Sequence, residues 1–203
     1  ASVCADPQCC QGYCTVEEYL QQGGDYADVQ KIQKAVADTK GEVVTYQGAL
    51  IDATYFSCSG GRTEDAKSVW GGSVPGEEYA AYYTDTIIIP FSDFRQLLGQ
   101  KLEGDPKNWI KNISYTSGNG VASITVGDIT YSGTTFRQKL GLRSTYLQIT
   151  TTQNSIVITT RGYGHRVGMS QYGADAMALS GKTYKEILRH YYTGVEIETY
   201  HKD

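Results

Sequence analysis

Apolar residues recur at helical spacing between Asp28 and Thr39. Val29, Ile32, Ala35 and Val36 fall on one stripe and Gly41 stands as a stop, so the pattern predicts an amphipathic helix with that stripe packed against the rest of the chain. A shorter helical signal runs from Glu17 to Leu20. The pattern then changes to alternation. VVTYQGALIDATYFSCS holds two β-rich runs split at Gln47-Gly48, which is a hairpin signal, and the second run leads directly into Ser57-Cys58-Ser59-Gly60-Gly61-Arg62-Thr63. Ser92 before Phe94, Leu97 and Leu98 reads as the N-cap of a second helix ending near Gly104.

From Trp109 to Tyr131 the sequence predicts a small antiparallel meander, with Ser117-Gly118-Asn119-Gly120 and Gly127-Asp128 as its turns. Thr134 to Leu140 reads as a short helix closed by Gly141. YLQITTT, Gln153-Asn154 and SIVITT then repeat strand, turn, strand. Two helices follow: Ser170 to Ser180 stops at Gly181, and Thr183 stands three residues before Glu186 as a capping box. No solenoid period and no linker interrupts the chain. The expectation is an α+β fold of mixed antiparallel sheets and several short helices, with a core lobe at about 1–104 and 161–203 and a β-rich lobe at about 105–160.

Composition narrows the function classes. Of 203 residues, 40% are hydrophobic, enough for a core without a disulfide scaffold, and 17 Tyr with 23 Gly and only 4 Pro suit a strand-rich globular chain. A net charge of −4 argues against a nucleic-acid surface, which needs clustered Lys and Arg to displace counterions. No apolar run approaches 18 residues, the Ile87-Ile88-Ile89 triplet included, so the sequence carries neither a membrane span nor a signal segment. Ala1 opens almost directly onto a dense Cys motif with no Met, which reads as a piece of something longer whose signal or anchor precedes it.

Three stretches carry chemistry. In the first, Gly162, Gly164, Gly168 and Gly173 frame His165, Arg166, Ser170, Gln171 and Tyr172 between a strand and a helix. Glycine permits positive φ and close approach of a ligand to the backbone, and a helix starting near Ser170 offers free N–H donors. Sugar hydroxyls or carboxylates suit such a surface, with Tyr163 and Tyr172 available for stacking. The alternative is a tight turn around a buried, hydrogen-bonded His165. Neither phosphate-loop pattern is present.

In the second, Ser57, Ser59, the paired glycines and Arg62 form a polar loop able to hold a sugar. Cys58 is a weaker candidate nucleophile with His165, His190 or His201 as base. Glu64 reads as an exposed residue capping the next helix. The third is C-x4-C-C-x3-C at Cys4, Cys9, Cys10 and Cys14, four of the five cysteines within eleven residues. Soft thiolates so close together suit zinc, and the alternative is a pair of disulfides, which the adjacent Cys9 and Cys10 disfavour.

Four ordered motifs resemble the SpoIID family, which includes the amidase enhancers: VCADPQCCQGY at 3–13, SCSGGRTEDAKSVWGGSVP at 57–75, FRQKLGLRST at 136–145 and GYGHRVGMSQYGADAMALSGKTYKEILRHYYTGVEI at 162–197. The resemblance implies a SpoIID-like fold and a peptidoglycan lytic transglycosylase, which cuts glycan strands between N-acetylmuramic acid and N-acetylglucosamine without water and leaves a 1,6-anhydro sugar. The family's catalytic Glu lies upstream of the VC motif, so no catalytic residue is assigned to this chain. His165, Ser170, Gln171 and Tyr172, with Ser57, Ser59 and Arg62, become a substrate-positioning wall.

Cys4, Cys9 and Cys10 match three of the family's zinc ligands. The fourth, a His, would precede Ala1 unless Cys14 replaces it. Arg166 stands where the family usually has the last Gly of GHG, and a cation there implies altered subsite preference. Expected partners are peptidoglycan glycan strands and other sporulation cell-wall proteins, in an extracytoplasmic setting with an N-terminal membrane anchor. A non-catalytic glycan-binding or amidase-enhancing module and a zinc-stabilised structural domain are the competing readings.

Overall fold

The computed structural model describes residues 13–64, 79–80 and 83–200. The Cys motif from Cys4 to Cys10, the Trp70-Gly71-Gly72 segment and His201 lie outside them. The fold is α+β: six α-helices and several mostly antiparallel sheets are present among the described residues. Packing divides the chain into a unit of residues 1–43 and 198–203 and a larger unit of residues 44–197.

The smaller unit holds two helices, each set by its cap. α1 (Val16–Gln21) starts on a capping box in which Thr15 Oγ1 accepts from the Glu18 amide and the Glu18 carboxylate accepts from the Thr15 amide. α2 (Tyr26–Asp38) is capped by Asp25, three residues before the start of the sequence signal, because the Asp25 carboxylate takes the Ala27 amide. The expectation of a packed apolar stripe on α2 is corrected: Val29 is buried, but Ile32 and Val36 are 65% and 66% exposed.

In the larger unit, β1 (Glu42–Tyr46) and β2 (Ala49–Leu50) form the expected hairpin. Gln47 and Gly48 both have positive φ, as a two-residue turn matched to strand twist requires. β3 (Tyr55–Phe56) follows. The main sheet has the antiparallel order β4 (Thr84–Pro90), β9 (Ser155–Arg161), β8 (Leu147–Thr151), with Ile89 opposite Ile156 and Ile87 opposite Ile158. Period-2 alternation puts Ile89, Ile156, Ile158 and Leu147 on one buried face.

α3 (Phe91–Leu98) leaves β4 without a loop. Its N-cap is Pro90, so the expected cap at Ser92 is corrected: Ser92 is already helical and its hydroxyl donates to Asp93. The helix also stops earlier than expected, because Gly99 takes the left-handed conformation that closes it. β5 (Ile110–Tyr115), β6 (Val121–Val126) and β7 (Ile129–Ser132) form the meander, and α4 (Gly133–Lys139) folds back on it. Phe94, Phe136, Ile124 and Val126 close this core completely. Each such side chain contributes roughly 1.5–3 kcal/mol by leaving water.

A second cluster forms around α5 (Gln171–Leu179) and α6 (Tyr184–Tyr191), where Ile187, Tyr191, Tyr192 and Val195 pack with Met169, Ala174 and Met177. α6 opens on the expected Thr183–Glu186 capping box. This cluster backs the two motif loops. Tyr192 is buried and its hydroxyl donates to the Thr54 carbonyl at 2.7 Å, fixing the chain just before β3.

Candidate functional site

The Ser57–Glu64 loop and the glycine loop are more than a hundred residues apart in sequence, and the fold joins them. β10 (Met169–Ser170) pairs in parallel with β3, Met169 opposite Tyr55 and Ser170 opposite Phe56. Cys58 and Tyr163 exchange both backbone bonds, at 3.3 and 2.7 Å, and the Glu64 amide donates to the Arg166 carbonyl at 2.6 Å. Two glycines allow this approach. Gly162 and Gly168 have φ of 80° and 82°, and a Cβ on Gly162 would meet the Cys58 carbonyl at 2.7 Å while one on Gly168 would collide with the Thr54 carbonyl oxygen.

Arg166 closes the junction. Its side chain is fully buried: Nε donates to the Ser59 carbonyl at 2.8 Å, Nη2 to the Arg62 and Gly118 carbonyls at 2.7 and 2.6 Å, and Nη1 to Glu64 Oε1 at 2.9 Å. The guanidinium also sits 5.0 Å from the Tyr146 ring centroid. Two expectations are corrected here. Glu64 is buried rather than exposed on a helix end, because its carboxylate neutralises Arg166. Arg166 is not a cation facing a ligand, because every direction of its fork is taken by the protein. Its φ of 64° is one that glycine adopts freely, and the hydrogen bonds hold a larger residue there.

His165 points the other way. It is exposed rather than buried, and its ring meets Phe56 edge-on at 5.7 Å. Nδ1 accepts from the Val167 amide at 3.1 Å. Partial desolvation lowers its pKa from 6.5, a hydrogen bond to the Tyr55 backbone opposes this, and the charge of Arg137 lowers it further. The imidazole is therefore neutral at pH 7, its Nε2–H donating and its Nδ1 accepting. Cys58 is fully buried inside the bridge to Tyr163, so the nucleophile reading is corrected: no substrate carbon reaches its sulfur.

The remaining expected residues separate by exposure. Ser170 is buried as the N-cap of α5, accepting from the Gly173 amide at 3.2 Å and donating to the Ser57 carbonyl at 3.3 Å. Ser59 is buried and accepts from the Gly61 amide. Ser57 and Tyr172 are half-buried, and Tyr172 meets Tyr79 edge-on at 5.5 Å while the Tyr79 hydroxyl donates to Asp175. Gln171, Arg62, His165, Tyr55 and Tyr163 face solvent. A groove of about 680 Å³ between Gln100, Trp109 and Asp128 is lined by none of the expected site residues.

The chain is 38% identical to stage II sporulation protein D of Bacillus amyloliquefaciens across 86% of its own length, and 36% identical to that of Bacillus subtilis across 97%. The chain is a homologue of these two proteins over the part that it spans. An amidase enhancer of Bacillus subtilis is 29% identical across 87% of the chain. The matched part spans 53% and 60% of the two sporulation proteins, little more than half their length. No family model matches the chain.

Within this SpoIID homologue, Cys4, Cys9 and Cys10 lie outside the described residues. Among the described residues no group of three or more His, Cys, Asp or Glu is placed to hold a metal ion, and Cys14 is exposed. The structure adds residues that sequence reasoning gave no role. Arg137 and Arg143 border the glycine loop: Arg137 Nε donates to the Leu142 carbonyl at 3.1 Å, and the Arg143 carbonyl accepts from Gly164 at 3.0 Å. Arg143 pairs with Asp85 at 3.4 Å, and its guanidinium lies 5.9 Å from the Tyr163 ring centroid. Their position in FRQKLGLRST was the available signal, since one arginine lies in the last turn of a short helix and the other just past its closing glycine.

Proposed function

We propose that this chain is the substrate-holding part of an extracytoplasmic cell-wall protein that cleaves peptidoglycan glycan strands by lytic transglycosylation during sporulation. The observation that carries the reading is the joining of the Ser57–Glu64 and Gly162–Gly168 loops into one rigid surface, on which Tyr55, Tyr163, His165 and Gln171 are exposed. Aromatic faces beside amide and imidazole hydrogen-bonding groups are what a strand of sugar rings requires.

In the proposed reaction a carboxylic acid protonates the glycosidic oxygen as the C1–O bond breaks. The resulting carboxylate then takes the proton of the muramic C6 hydroxyl, whose oxygen closes on C1 to give the 1,6-anhydro ring, with no water consumed. Glu64 is not offered as that acid, because it is engaged by Arg166. The resemblance puts the acid upstream of the VC motif. The residues of this chain supply position: the exposed His165 and Gln171 side chains and the Tyr163 ring fix a sugar against the glycine loop.

The relatives' sporulation names and the four shared motifs support the cell-wall setting, and an N-terminal anchor remains part of the proposal. Zinc at Cys4, Cys9 and Cys10 is likewise proposed from the motif, and Cys4→Ser with Cys10→Ser should abolish zinc in metal analysis of the purified protein. A second reading, a glycan-binding or amidase-enhancing module without turnover, is favoured by the amidase enhancer match. Mass spectrometry separates the two. Full-length protein incubated with peptidoglycan should release anhydro-muropeptides, and their absence alongside retained glycan binding selects the second reading.

A further inference from the structure

The chain is acidic overall, with a net charge of −4, yet five of its seven arginines (62, 137, 143, 161 and 166) stand on segments bonded to the glycine loop. Two of the five have carboxylate partners among the described residues: Arg166 has Glu64 and Arg143 has Asp85. Arg137 differs. It sits half-buried at the end of α4, its Nε is committed to the Leu142 carbonyl, and its two terminal nitrogens have no hydrogen-bond or ion-pair partner among the described residues. They are not sealed in, since neither is a buried side-chain atom left without a hydrogen bond. Desolvation lowers the Arg137 pKa from its usual value, the neighbouring Tyr163 opposes this, and the Arg137 charge lowers the pKa of His165.

A half-buried guanidinium with one edge fixed and the other open is a fork held ready for a planar anion. We propose that Arg137, flanked by Arg143, is a carboxylate subsite beside the Tyr163 and His165 surface, and that it takes the carboxylate of an acidic saccharide. The inference rests on the glycan reading above, under which the group is the free lactyl carboxylate of a muramic residue whose ring lies on Tyr163. Arg143, oriented by Asp85 and lying along the Tyr163 ring, adds positive potential without leaving its partner.

The test is calorimetric titration of this chain with four tetrasaccharide probes: neutral chitotetraose, a peptide-free GlcNAc–MurNAc tetrasaccharide with free lactyl carboxylates, the same sugar with those carboxylates amidated, and the same sugar bearing peptide stems. Wild type should bind the free acid about 10-fold tighter than the neutral and amidated probes, a gap that narrows with added salt. Arg137→Ala should erase that preference while leaving affinity for chitotetraose unchanged, and Arg137→Lys should keep part of it. Unchanged circular dichroism and melting temperature qualify each variant, and Arg137→Lys carries the test if the alanine variant does not fold.

Equal affinity for the acid and amide overturns the subsite and leaves the glycan reading standing. Tighter binding of the stem-bearing strand overturns the lactyl assignment. Absence of binding to all four probes removes the glycan reading and the subsite with it.

Discussion

Arg166 Nη1 lies 2.9 Å from Glu64 Oε1, a pair formed across 102 residues of sequence, with the arginine wholly buried and the carboxylate side chain 11% exposed. Breaking a buried pair leaves one charge without compensation, at a cost of about 3–5 kcal/mol. Arg166→Ala should show a loss of that size in urea denaturation at pH 7. Arg166→Gly should lose about 1 kcal/mol less, because glycine takes the positive φ without strain. A loss below about 1 kcal/mol for the alanine variant would mean that the pair does not clamp the loops.

Gly168 and Gly181 both have positive φ, 82° and 90°, but their surroundings differ. A methyl group on Gly168 runs into the Thr54 carbonyl, whereas one on Gly181 meets nothing within 4 Å. Gly181→Ala should therefore cost about 1 kcal/mol from backbone conformation alone. Gly168→Ala should cost at least about 2 kcal/mol more and weaken glycan binding, because β10 must move away from β3. Paired thermal melts check the order, and equal shifts would contradict it.

Ser170 and Gln171 are neighbours with different work. Ser170→Ala removes the N-cap of α5 and should lower stability by about 1 kcal/mol with little effect on glycan affinity of the folded protein. Gln171→Ala, at an exposed position, should leave the melt within about 0.5 kcal/mol and weaken glycan binding. If Ser170→Ala weakens binding more than Gln171→Ala, the assignment of exposed residues to the ligand is wrong.

His165 makes stability depend on pH in one direction. Its folded pKa lies below 6.5 because desolvation disfavours the cation. The unfolded chain thus binds the proton first as pH falls. The stabilising contribution is complete above 6.5 and is lost as pH drops from 6.5 through the folded value. His165→Gln should abolish that slope, so the stability difference between wild type and variant should shrink from pH 7 to pH 5. An NMR titration of the ring with a midpoint above 6.5 would refute the argument.

Local devices were legible in the sequence. The Thr183–Glu186 capping box, the Gln47-Gly48 hairpin and the meander all depend on neighbours a few residues apart. Ser92 misled because Pro90, one residue beyond the end of the apolar run, already starts the helix. The α2 stripe misled because periodicity reports which residues share a face and not whether anything covers it. At the site, composition put Glu64 on the surface, since nothing in its own segment announces a partner 102 residues away. The roles of Ser59 and Ser170 were equally hidden, because a hydroxyl that completes a turn or a cap looks in sequence like one that meets a sugar.

The two-residue contact between β3 and β10 also fixes when the surface comes into existence. During synthesis Tyr55 and Phe56 wait, without their partners, until Met169 and Ser170 have been made. Closing so long a segment is slow compared with forming a cap or hairpin. Recognition by this face is therefore a property of the finished chain: a nascent or truncated form that ends before Met169 carries the Ser57–Glu64 motif without the partner strand that completes the surface.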